Sequence, residues 1–64
     1  MYVIAENEDK KKFCNNDLDD YVELQNAFLF ETKKDALLSI DDSTDEIICE
    51  VDYLPSIIKL IGKM

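Results

Sequence analysis

Two stretches of this chain hold most of the groups that could act on a partner. Residues 41–52, DDSTDEIICEVD, carry Asp41, Asp42, Asp45, Glu46, Glu50 and Asp52 with no basic residue among them. Residues 13–32 carry Asp17, Asp19, Asp20, Glu23 and Glu31, again without a base. Carboxylates in such density can move protons, hold a hard cation, or present charge to a basic surface. Their spacing favours the third. On the alternating segment EIICEVDY, Glu50 and Asp52 leave the same side of a strand, about 7 Å apart. A row at that pitch, with Asp41, Asp42, Asp45 and Glu46 beside it, can imitate a nucleic-acid backbone to a basic protein groove. Asp17, Asp19 and Asp20 form a second such cluster. The competing explanation is a solvated face that keeps a small protein soluble.

The other two chemistries find less support. Histidine is absent and the sole glycine is Gly62, so there is no imidazole base and no Gly-rich phosphate loop. Ser39, Ser43 and Ser56 have no activating partner in the pattern, and a nucleophile needs a base within reach. No catalytic residue is expected. Asp41, Ser43 and Asp45 alternate as in an EF-hand loop, but Glu46 stands where the loop glycine belongs and Asp52 where its final Glu belongs. No metal or other cofactor is expected. Cys14 and Cys49 form no CxxC pair. They read as two buried free thiols, or as one bridge if their strands are neighbours.

The formal net charge is −8 and there is no arginine. Direct nucleic-acid binding is disfavoured, since phosphate contacts need Lys and Arg. A basic protein partner is favoured by long-range attraction. The start, MYVIAENEDKKK, has its lysines after a short apolar run, which is not the signal-peptide order. No run approaches the ~20 apolar residues of a membrane span. The expected place is the cytoplasm.

These groups need a frame. Sixty-four residues make a single domain, 1–64, which hides only about 60% of its unfolded surface. YVIA (Tyr2–Ala5) and KKFCN read as two strands of a hairpin, with Phe13 in the core. NNDLDD is an acidic turn. YVELQNA fits a helical turn or an extended entry equally. FLF then reads as a central strand, with Phe28 and Phe30 on one face and Leu29 on the other. Thr32 is the expected helix N-cap, completed by Asp35 in a capping-box variant. Ala36, Leu37 and Ile40 supply the packing face of that helix. Ile47, Cys49, Val51 and Tyr53 share one strand face, opposite Ile48, Glu50 and Asp52.

In LPSIIKLIGKM, Pro55 suits a first helical turn and Ile57, Leu60, Ile61 and Met64 follow a helical spacing. Lys59 and Lys63 suit that helix's C-terminal end. Its apolar face is expected to dock on the protein's own sheet, or to make a dimer or partner interface. The predicted fold is α+β, a β-β-β-α-β antiparallel or mixed sheet packed by one main helix, with a short C-terminal helix.

Ala27, Phe30, Thr32, Lys33 and Ala36 spell A-x-x-F-x-T-K-x-x-A. With the YVI hairpin and NDLDD before it, residues 2 to about 52 resemble small uncharacterised proteins encoded by phages and mobile elements of AT-rich bacteria. The resemblance implies a non-enzymatic binding protein of an infected or host cell. Such a protein would block a defence nuclease, for example in the anti-CRISPR manner, or redirect a polymerase or repair enzyme. It carries over no site residue.

Overall fold

The structure is a computed structural model that describes residues 1–54 and 57–63. Its strands are β1 (Tyr2–Ala5), β2 (Phe13–Cys14), β3 (Tyr21–Val22), β4 (Ile47–Leu54) and β5 (Ile57–Lys63). A 3-10 turn (Leu24–Asn26) and one α-helix, α1 (Lys33–Ser39), complete the elements. The strands form one antiparallel sheet in the order β3-β2-β1-β4-β5. The fold is therefore α+β, a curled five-stranded sheet with one helix.

Period-2 patterning puts apolar groups on both sides of this sheet. Val3, Ala5, Phe13, Cys49 and Val51 form one core with Ile58, and Leu24, Ala27, Leu29, Ile47 and Leu60 pack against it. Ile4, Cys14 and Ile48 form the other with Phe30 and Ala36, joined by Tyr2, Tyr21, Phe28 and Ile40. The first face is covered by the 3-10 turn and the curling β5, the second by α1. Ile47, Cys49 and Val51 share a face opposite Ile48, as the alternation predicts; the side chain of Tyr53 lies outside the described residues. Cys14 and Cys49 are buried on opposite faces of the sheet, and no disulfide joins them.

The helix starts where its chemistry says it should. Thr32 is extended, with φ −127° and ψ 155°, and its Oγ1 accepts from the Asp35 amide at 3.1 Å. Its packing face is narrower than expected. Ala36 is fully buried and Ile40 half-buried, but Leu37 is exposed. Seven residues are under two turns, so only the i, i+4 pair reaches the sheet.

FLF is not a ladder strand. Phe30 exchanges one pair of backbone bonds with Tyr2 (2.9 and 2.8 Å), and the Phe28 amide donates to the Cys14 carbonyl at 3.0 Å. The segment continues the edge of β1 where the two-residue β2 stops. Its faces still follow the alternation, with Phe28 and Phe30 toward the helix and Leu29 toward the opposite core. YVELQNA is both things its residues allowed, β3 followed by the 3-10 turn.

The expected C-terminal helix is overturned. Residues 57–63 are β5, paired with β4 from Leu54↔Ile57 to Cys49↔Lys63. Five positions with four apolar groups fit either period, and the decision is tertiary. A two-turn helix is marginal alone, whereas β4 offers a full ladder to a run rich in β-branched isoleucine. Gly62 disfavours helix further. Leu60 and Ile61 therefore share no helical face with each other. Leu60 packs on the core, Ile61 is exposed, the Ile57 side chain and Met64 lie outside the described residues, and so does Pro55. With Glu50↔Gly62 and Val51↔Leu60, Ile61 is the extra residue of a β-bulge. Lys59 and Lys63 lose their helix-end role.

β5 is an edge strand, and part of its edge is closed. The Gln25 amide donates to the Ile58 carbonyl at 3.2 Å and accepts from the Ile58 amide at 3.4 Å, as a neighbouring strand would. The closure and the bulge both blunt an edge that could pair with another chain.

Candidate functional site: an acidic cleft between two turns

Two acidic turns, far apart in sequence, meet at one cleft of about 150 Å³. Asp19, Asp20, Asp41 and Glu46 line it, with Leu18 at its lip and Cys14 and Tyr21 in its wall. Each turn is built by its own side chains. In the first, the Asn15 amide nitrogen donates to Asp19 Oδ1 at 3.0 Å, and Asn15 Oδ1 accepts the Asp19 amide at 3.2 Å. Asp20 Oδ1 accepts the Tyr21 amide at 2.8 Å. Leu18 takes the left-handed conformation, φ 60°, which is unfavourable for leucine and makes the reversal tight. In the second turn, Asp41 Oδ1 accepts the Ser43 amide (3.0 Å) and hydroxyl (2.6 Å). Those two donors hold the Asp41 carboxyl below its usual range, the hydroxyl first.

Glu46 ties the turns together. It precedes β4 with the parity of Ile48, so its carboxylate leaves on the helix-covered face. Oε2 accepts from the Tyr21 hydroxyl at 2.5 Å and faces the Cys14 thiol at 3.6 Å. Oε1 accepts the Asp41 amide at 2.9 Å. One side chain thus joins β2, β3 and the segment entering β4. The donors respond to it. Tyr21 is held well above the ordinary phenol value, first by its bond to Glu46 and then by burial. Burial, followed by the Glu46 charge, pushes the Cys14 thiol up to about 12. A thiol so protonated is a poor nucleophile, and Cys14 stands in the wall of the cleft.

The carboxylates singled out in the sequence therefore separate. Asp19, Asp20, Asp41 and Glu46 hold the turns. Asp17, Asp42 and Asp45 are exposed beside them. Asp45 also borders a shallow depression with Asn7, Glu8 and Asp9, at the β1–β2 turn. Glu50 and Asp52 stand apart on β4; Glu50 is half-buried opposite Tyr2 and only Asp52 is fully exposed. Glu23 is taken up by Lys12 in an ion pair of 2.8 Å.

Tyr21, Cys14, Asn15 and Ser43 were not singled out as partners of these acids. The Asx-type turn at Asn15 has a local signal in NNDLDD. Tyr21 and Cys14 have none, since they reach Glu46 across 25 and 32 residues. Among the described residues, no three acid or cysteine side chains converge as a metal site, and no helix is long and apolar enough to cross a membrane. Comparison with protein-family models, with curated proteins and with solved structures finds no match.

Proposed function

We propose that this protein is a non-enzymatic binder that offers its acidic face to a basic, nucleic-acid-handling protein and occupies that partner's groove in place of phosphate. The observation that carries the reading is the junction of the two acid-rich turns at one cleft. Asp17 and Asp42, close in sequence to its lining acids, are exposed, and Asp45 is exposed at the separate depression beside Asn7, Glu8 and Asp9; all three can meet lysine and arginine. The net charge of −8 adds long-range attraction to such a groove. Asp52, exposed on β4, and the half-buried Glu50 stand apart from this junction and are not needed for the reading. The resemblance to phage and mobile-element proteins adds the partner class: a defence nuclease such as a CRISPR effector or restriction enzyme, or a polymerase or repair enzyme of the host. Oligomerisation through the C-terminal segment has less behind it, since Ile58 and Leu60 pack into this chain's own core.

The test is capture from bacterial lysate at two salt concentrations, with bound proteins identified by mass. The screening length falls from ~10 Å at about 0.1 M to ~3 Å at about 1 M salt. A basic nucleic-acid-binding protein should be retained at the lower salt and released at the higher. Reversal of Asp17, Asp42 and Asp45 to Lys should abolish retention in a protein that still folds. Retention unchanged by the triple reversal, or by salt, contradicts the proposal.

A further inference from the structure

A second depression lies on the helix-covered side and adjoins the acidic cleft at Ser39, which lines both. It measures about 430 Å³, between the 28–31 segment and α1. Phe28, Phe30 and Leu38 give its lining an apolar part, and Glu31 and Asp35 an acidic one. The floor is firm, because Phe28 stands edge-to-face on the buried Phe30 with ring centroids 4.8 Å apart. Leu38 is 77% exposed, and Leu37 beside it 54%. A large apolar group so placed contributes little to this fold, and such a groove with a polar rim is the form of an interaction site. The charge decides the occupant. Both charged residues of the lining are acids, and Lys33 and Lys34 line no part of it. A second copy would set acid against acid across the rim, between chains each at −8.

We infer that this groove receives one apolar side chain of a basic partner, flanked there by lysine or arginine that meets Glu31 and Asp35. This rests on the reading of the protein as a binder of basic proteins and adds an anchoring point to it. Apolar anchors in pockets commonly carry most of the energy of an interface, while exposed charge pairs contribute direction and rate. The acidic turns then attract and orient, and the groove holds.

Two synthetic lysine-rich peptides of identical charge test this, one with a central phenylalanine and one with glycine in its place. Each is titrated into the labelled protein and followed by amide chemical shifts. The phenylalanine peptide should bind roughly tenfold tighter, a difference of ~1.4 kcal/mol, and should shift Leu29, Glu31 and Leu38. Leu38→Ala should remove that advantage and leave the glycine peptide's affinity unchanged. Glu31→Gln should weaken the phenylalanine peptide with the fold intact. Equal affinities, with shifts confined to the 15–20 and 41–46 turns, overturn the groove and leave the acidic-face reading standing. Failure of both peptides to bind overturns both. Concentration-dependent shifts at Leu38 without peptide would assign the groove to a second copy and overturn it too.

Discussion

Asp45 and Glu46 are adjacent and carry the same charge, but they belong to different regions of the molecule. Glu46 turns into the helix-covered face and accepts from Tyr21, Cys14 and the Asp41 amide. Asp45 stays on the rim, exposed to water. The inner region uses a carboxylate as an acceptor hub that closes two turns on each other. The outer region uses carboxylates as surface charge. The difference teaches that the density of acids along this chain measures two quantities at once, and only the outer share is available to a partner. An exposed acid can be reversed at small cost to the fold. A carboxylate that satisfies several donors cannot, because its loss leaves those donors unpaired.

After loss of Glu46 itself, the largest effect that sharpens this contrast belongs to Tyr21. Tyr21→Phe removes the hydroxyl bonded to Glu46 and should destabilise by about 1.5–3 kcal/mol, the usual range for a hydrogen bond to a charged group. Chemical denaturation measures it. A domain of this size has only ~3–5 kcal/mol to lose. A cost near zero would return Glu46 to the outer class.

Alkaline titration probes the same hub. Folded Cys14 and Tyr21 both hold their protons more tightly than the ordinary thiol and phenol values of 9.0 and 10.0. The folded state therefore binds more protons there than the unfolded state. The stability from these groups is complete below about pH 9 and is lost as pH rises toward about 12 for Cys14 and beyond for Tyr21. Tyr21→Phe should flatten the upper part of that loss. An unfolding midpoint independent of pH between 9 and 12 would break the assignment.

The smallest effect is expected from the rim. Asp42→Asn and Asp45→Asn should each leave stability within ±0.5 kcal/mol, as surface substitutions usually do. Either one exceeding that range would move its carboxylate into the inner class.

How far all this could be read from the residues depends on how local each cause is. Thr32 acts on an amide three positions away, and its cap was legible. The alternation of Ile47 to Val51 states which groups share a face, and the sheet agrees. FLF announced its two faces correctly but not its role, because whether a segment is a ladder strand depends on how far its neighbour extends, and β2 has two residues. IIKLIG was misread for a related reason. Its spacing fits both periods, and the deciding partner is β4, which lies in another stretch of chain. At the candidate site, proximity in sequence set Asp41 to Asp52 in one cluster and Asp17 to Asp20 in another, whereas the cleft joins Asp19 and Asp20 to Asp41 and Glu46. Their division into inner and outer was not legible. Nothing near Glu46 in sequence distinguishes it from Asp45; the difference comes from Tyr21 and Cys14, brought close by the antiparallel pairing of β2 with β3 and of β1 with β2 and β4.

The most direct test of the division between inner and outer carboxylates is the thermal midpoint of Glu46→Ala beside that of Asp45→Ala. Loss of the hub should cost about 2–3 kcal/mol, which for a domain of this size is a fall of roughly 8–24 °C. The Asp45 variant should melt with the parent protein. Equal midpoints for the two variants would contradict the division.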